Sequence, residues 1–240
     1  MIPLQRPPLA PTLVTELARR TAAIRTVGPD TAVGRAAWHN ARQQKAQLRV
    51  VLRQMAPGLE RCMYCGDNLG TDIDHFEPIA RAPLRTFDWQ NHLLACAHCN
   101  SNQKRDRFPC DPATGEHLLV DPSREDPADH LLLYLESGAY DALTPKGEAT
   151  IEVFGLNSRA ELVRGRRMMF TVVKSLLLAW ERGEGARSAE YLEALRLLHH
   201  ADVLRSVLRL RRNPALAETV LGPEVLTALK RLARTDRRFR

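Results

Sequence analysis

Between Cys62 and Asn100 the chain carries two kinds of ligand, one nested inside the other. Cys62-x2-Cys65 and Cys96-x2-Cys99 pair four thiols at two-residue spacing, which suits a closed, tetrahedral structural Zn²⁺. Asp74-His75 lies between the pairs, and Asn100 follows the last cysteine directly. An acid, an imidazole and an amide oxygen make a harder set, suited to a divalent cation with an activated water beside it. Taken alone, an Asp-His pair says little, because a lone histidine is more often structural than catalytic. Its place between two thiol pairs gives it weight, since a chain that needs zinc only to fold has no use for a second constellation there.

These residues need elements to position them. The first dozen residues are Pro-rich and read as loose. Helices are expected over 12–25 and 31–56. The second has Leu48, Val51, Leu52 and Met55 on one stripe and is stopped by Pro57-Gly58. Residues 59–122 differ in kind, with short apolar runs, turn residues and no helical period until after Cys99. They predict a strand ending near Asp74-His75, a long loop across 77–90, a short strand at Leu93-Leu94-Ala95, and a short helix from about Asn100. After Asp121-Pro122 and a polar linker, an extended pair is expected at Leu131–Leu135 and Ala139–Leu143. From about 146 onward the pattern is helical, with Asn157-Ser158 as an N-cap and further helices near 187–211 and 223–235. The expected fold is mostly α with a small α+β module, divided into a helical N-terminal arm (1–56), the cysteine-bearing module (57–122) and a mainly helical C-terminal domain (123–240).

The string Cys62-x2-Cys65, Ile73-Asp74-His75-Phe76-Glu77-Pro78 and Asn91-His92-Leu93-Leu94-Ala95-Cys96-x2-Cys99-Asn100 resembles an HNH endonuclease of the ββα-metal group. The likeness covers about 60 of the 240 residues. It implies that Asp74 and Asn100 bind the catalytic Mg²⁺ or Mn²⁺, that His75 is the general base, and that the Asn91 amide pins the His-bearing loop. Zinc on Cys62, Cys65, Cys96 and Cys99 would clamp the bases of the two strands. The family commonly has a Lys three residues after its third position; here Gln103 stands there and Lys104 follows, which leaves Asn102 as an alternative ligand to Asn100. Lys104, Arg105 and Arg107 are candidate phosphate contacts, with a solvated basic turn as the equal alternative. His92 and His98 read as supporting or surface residues. Further on, Asp106-Arg107-Phe108-Pro109, Leu119-Val120-Asp121-Pro122 and Gly155-Leu156-Asn157 are similar to bacterial HNH proteins with a helical extension. Some of these belong to Septu-type anti-phage defence, where the nuclease works with an ATPase partner.

Composition narrows the class further. The net charge is +7, and residues 1–56 and 201–240 carry +7 and +6, leaving −6 between them. Basic flanks around an acidic middle suit a protein that grips a polyanion at its edges, with solvated arginine-rich helices as the equal alternative; Arg237, Arg238 and Arg240 are among the cations concerned. Five cysteines, one of them (Cys110) outside the pairs, fit a reducing cytoplasm better than a disulfide framework. No apolar run reaches membrane-spanning length, and no G-x-x-x-x-G-K loop is present for nucleotide hydrolysis. Two functions stand against each other: a metal-dependent nuclease acting on DNA or RNA, and a zinc-stabilised nucleic-acid-binding or adaptor protein with an inactive core.

Overall fold

The computed structural model describes residues 1–183, 185–236 and 239, so Arg237, Arg238 and Arg240 lie outside the described residues. The molecule is mostly helical, with a small two-stranded module that carries the cysteines and Asp74-His75. Three helices lead in: α1 (Pro11–Val27), α2 (Thr31–His39) and α3 (Arg42–Met55). The module follows with β1 (Asp72–His75) and β2 (His92–Ala95), paired antiparallel so that Asp72 faces Ala95 and His75 faces His92. A second hairpin, β3 (Leu131–Leu133) and β4 (Tyr140–Ala142), precedes the helices α4 (Pro145–Val153), α5 (Ala160–Arg182), α6 (Gly185–Leu197), α7 (Ala201–Leu210), α8 (Pro214–Leu221) and α9 (Pro223–Thr235). Among the described residues, no helix is long and apolar enough to cross a membrane.

The expected helix over 31–56 is two helices. Asn40 caps α2, its N–H reaching Ala36 O, and the buried Ala41 leaves helical geometry before α3 begins. An Asn at a helix end is a local stop signal. The break lets α2 present Trp38 to the module while α3 buries Leu48, Leu52 and Met55.

The helix expected over 187–211 is likewise divided. His200 adopts a left-handed conformation (φ 53°) and its N–H donates to Gly66 O at 2.7 Å. A contact with the loop behind the first cysteine pair therefore sets this break, and no turn residue marks it in the sequence. Asn157 does not cap α5, which starts after Arg159. Its amide pairs instead with both backbone groups of Tyr140, tying β4 to the start of the helical region. The Pro-rich start is not loose. Leu4 is buried and donates its N–H to Pro122 O, while Arg6 lies over the Trp89 ring and donates to Trp89 O and Gln90 O.

Among the described residues, nearly all the buried apolar side chains form one continuous cluster from Met1 to Phe239. Within it α5 buries Leu162, Met169, Phe170, Val173, Leu177 and Trp180, together with Arg166, which is 1 % exposed. Arg166 donates to Gly138 O and Leu156 O, both at 2.6 Å, and its guanidinium lies 4.8 Å from the Tyr140 ring centre. It serves as an internal strut for the β3–β4 turn. Arg166→Ala would leave two buried carbonyls without donors and a cavity beside Tyr140. It is expected to lower unfolding free energy by roughly 3 kcal/mol or more, read as a fall in the urea midpoint. Arg166→Met should recover only the packing share.

Candidate active site and metal centre

The sulfurs of Cys62, Cys65, Cys96 and Cys99 all lie within 4.8 Å of one another, and the four residues are buried. Burial pushes the Cys62 thiol up, so a cluster of thiolates here needs a cation to balance it. The donor set fits a tetrahedral Zn²⁺ of the closed, structural kind. Donors that orient the sulfurs surround it: Arg159 Nη2 lies 3.4 Å from Cys99 Sγ, Cys99 N–H 3.4 Å from Cys96 Sγ, and Asn68 Nδ2 3.9 Å from Cys96 Sγ. The first pair stands just ahead of β1. The second follows Ala95, the last residue of β2, and leads without a spacer into Asn100. The cluster therefore fixes Asn100 relative to β1.

At the far end of the strands stands His75, largely buried. Its Nε2 is 3.0 Å from Thr86 O. A carbonyl oxygen can only accept, so Nε2 carries the proton, and in the neutral ring Nδ1 is left with its lone pair. Burial pushes the pKa of His75 down to about 4, against the opposing pull of the Thr86 carbonyl and Asp74. The imidazole is therefore neutral near pH 7. Trp38 meets it edge-on, with ring centres 4.5 Å apart. His92, opposite on β2, is fully buried rather than a surface residue, and donates its Nε2–H to the same Thr86 carbonyl at 2.9 Å.

Thr86 is held from behind. Asn91, completely buried, accepts from Glu77 N–H (2.8 Å) and donates to Glu77 O (3.0 Å) and Arg85 O (3.3 Å). Arg85 pairs with Glu77 and Asp88. The long loop is thus closed on itself around the carbonyl that orients both histidines.

Asp74 is 3 % exposed. One carboxylate oxygen accepts from the Tyr64 hydroxyl, and the other from Lys104 Nζ at 3.0 Å. Burial and the neighbouring Asp74 charge raise the Tyr64 pKa, so the phenol keeps the proton it donates. The Tyr64 ring is held in place by stacking on Phe154, 4.0 Å between centres. Asn100 donates its Nδ2 to Asp72 at 3.2 Å, which leaves Oδ1 as its free acceptor. Asp74, His75 and Asn100 line one cavity of about 190 Å³ with Arg35, Arg105 and Asp106 at its wall. Asn102 is exposed and does not line it. Two protein oxygens, Asp74 carboxylate and Asn100 Oδ1, fit a hard cation that keeps waters in its remaining positions. Among the described residues, only the cysteines form a cluster of three or more His, Cys, Asp or Glu able to hold an ion.

Lys104 is not a surface phosphate contact. It is fully buried, and its ammonium is engaged by Asp74 and by His75 O at 2.6 Å. Residues 98–104 are π-helical, with Arg105 N–H bonded to Asn100 O five residues back. In so wide a turn a residue four along comes back to Asn100's side, which brings position 104 rather than 103 to Asp74. Arg105 is exposed at the cavity wall, whereas Arg107 is partly engaged by Gln103 O and Val153 O. His98 is half-buried beside Gln103. Sequence reasoning missed Tyr64, Thr86, Trp38 and Asp72. Only Asp72 left a local signal, standing two residues before Asp74 on the same strand face.

Residues 62–106 match the HNH endonuclease family. The chain carries an HNH domain. It is also similar to the Septu protein PtuB of Bacillus mycoides (strain KBAB4), with 24% identity. That likeness covers 72% of this chain, and the chain spans 62% of the length of that relative. Besides the HNH domain, then, the similarity takes in much of the surrounding helical structure.

Two measurements follow. Purified protein is expected to hold about one tightly bound ion per chain in the cysteine site, with Cys62→Ser or Cys96→Ser losing it and unfolding locally; elemental analysis reads both. Lys104→Ala leaves the buried Asp74 carboxylate without its cation and should cost about 3–5 kcal/mol. The salt dependence of nucleic-acid binding should stay as it was, since Lys104 reaches no solvent.

Proposed function

We propose that this protein is a metal-dependent HNH endonuclease that hydrolyses phosphodiester bonds in DNA. The observation that carries the proposal is the tautomer of His75. With Nε2–H committed to Thr86 O, the free lone pair on Nδ1 belongs to a neutral imidazole on the wall of a cavity shared with Asp74 and Asn100. In the reaction, His75 Nδ1 takes a proton from water as its oxygen forms a bond to phosphorus; the bond from phosphorus to the leaving oxygen breaks, and that oxygen gains a proton from solvent. Asp74 and Asn100 would hold Mg²⁺ or Mn²⁺, whose charge stabilises the phosphate and the leaving oxygen. Asn91 and Thr86 keep the imidazole aimed, and Trp38 covers one side of it. Zn²⁺ on the four cysteines is structural; Arg105, on the cavity wall, is a nucleic-acid contact, and Arg107 follows it farther out.

Similarity to a Septu protein supports a place in anti-phage defence, and we extend this to an ATPase partner and to the cytoplasm, where free thiols persist. One observation favours the alternative of a zinc-stabilised binding or adaptor protein: Lys104 already supplies a cation to Asp74. Cleavage decides between them. His75→Ala is expected to lower Mg²⁺-dependent cutting of plasmid DNA by about 10²–10⁴-fold, the usual share of a general base, while zinc content and DNA affinity persist. If His75→Ala cuts as fast as the unmodified protein, the mechanism is wrong. If neither protein cuts DNA or, in a parallel assay, RNA, while both bind nucleic acid, the adaptor reading holds.

A further inference from the structure

Beside the reaction cavity lies a wider cleft of about 510 Å³, lined by Trp38, Arg42, Lys45 and Arg49 on one side and by Asp72, Ile73 and Asn100 on the other. Trp38, Ile73 and Asn100 line both spaces, so the cleft opens directly onto the place where Asp74 and His75 meet. Arg42, Lys45 and Arg49 are spaced i, i+3, i+7 along α3 and share one face.

The charges in this cleft are out of balance in a selective way. Helices α2 and α3 carry five Lys and Arg residues. Arg35 is paired with Asp106 and Arg53 with Glu60. Among the described residues, Arg42, Lys45 and Arg49 have no ion pair. Lys45 reaches only a backbone carbonyl, His39 O at 3.3 Å, and the Trp38 ring. Arg49 Nε is buried with no hydrogen-bond partner. The one acid on the cleft wall, Asp72, already accepts from the Asn100 amide and from the Thr71 hydroxyl. Three clustered cations without counter-ions repel one another and cost stability, unless a polyanion completes the site.

We propose that Arg42, Lys45 and Arg49 form a phosphate-binding wall that seats one strand of the substrate backbone and leads it past Asn100 to His75. The proposal rests on the nucleic-acid-cutting reading and extends it to a helix outside the HNH match, which begins only at Cys62. The dimensions agree. Seven residues of α-helix advance about 10 Å, and one strand of duplex presents a phosphate about every 3.4 Å of its axis. The run from Arg42 to Arg49 therefore spans about three phosphates. Trp38, at the junction of the two cavities, closes the inner end of the wall.

The test measures binding apart from cutting. In a His75→Ala background, the affinity for a short fluorescein-labelled DNA duplex is read by anisotropy from about 50 to 200 mM salt, with single-stranded DNA and RNA of the same sequence as parallel arms. Arg42→Gln/Lys45→Gln/Arg49→Gln is expected to flatten the slope of log affinity against log salt by about 3 on duplex, close to one for each phosphate that the variant no longer neutralises. A reference variant, Arg19→Gln/Arg20→Gln/Arg53→Gln, removes the same charge from residues that pair with Glu16 and Glu60, and should change the slope little. Zinc content and helical signal verify that both variants fold. Should the cleft variant keep the unmodified affinity and slope, or the reference variant lose as much, the wall does not exist as proposed. In a background with His75 intact, the cleft variant should raise KM for cleavage and spare the single-turnover rate at saturating DNA. If the protein binds DNA through the wall but never cuts, the nuclease reading fails and the wall stands.

Discussion

Two strands of four residues each cannot hold chemistry in place by themselves, because a bare two-stranded ribbon is marginal in water. Everything around β1 and β2 answers that constraint. At one end the four cysteines gather both strand bases onto a single point and deliver Asn100 beside Asp72. At the other end the Asn91 amide locks the loop that follows β1 onto the residues that precede β2. Between these fastenings the His75–His92 cross-strand pair shares one acceptor, Thr86 O, which fixes the ring plane and the tautomer of both histidines.

Charge is distributed by the same logic. Beside β1 a buried carboxylate and a buried ammonium, Asp74 and Lys104, are joined at 3.0 Å and shielded by Tyr64. A pair so deeply buried contributes little net stability, but either member without the other would be a severe liability. On the cleft side the arrangement is reversed, and cations are left without partners where solvent and a polyanion can reach them. The helices outside the HNH domain are thus more than packaging. Trp38 on α2 packs against His75, α3 lines the approach, Phe154 at the end of α4 positions Tyr64, and the turn before α7 ties to the loop of the first cysteine pair.

Much of this was legible along the chain. The two Cys-x2-Cys pairs, the two short strands, the α/β balance and the hairpin near 131–143 follow from spacing, alternation and turn residues, which are local properties. Other features were not local. The π-helical turn meets β1 through Lys104 on Asp74 and Asn100 on Asp72, and a buried lysine in a basic run looks in sequence like a solvated one. The helix break at His200 interrupts an apolar pattern that reads as continuous, and it is enforced by a bond to Gly66 O from more than a hundred residues away. The Pro-rich start gave no sign that Leu4 would be buried or that Arg6 would pair with the loop ahead of β2.

Residue identity and spacing settle which atoms are available: four thiols in two pairs, an Asp-His dipeptide, an Asn directly behind the last cysteine, and an excess of cations in the first 56 residues. The role of each follows from the neighbours that folding brings to it. Whether an imidazole nitrogen donates or accepts depends on the carbonyl it meets, here Thr86 O. Whether a lysine is a counter-ion or a phosphate contact depends on its burial, and that separates Lys104 from Lys45. Residue type sets the chemistry a side chain can perform, but the partner it meets and its exposure to water come from segments far away in the chain, and no local spacing encodes them.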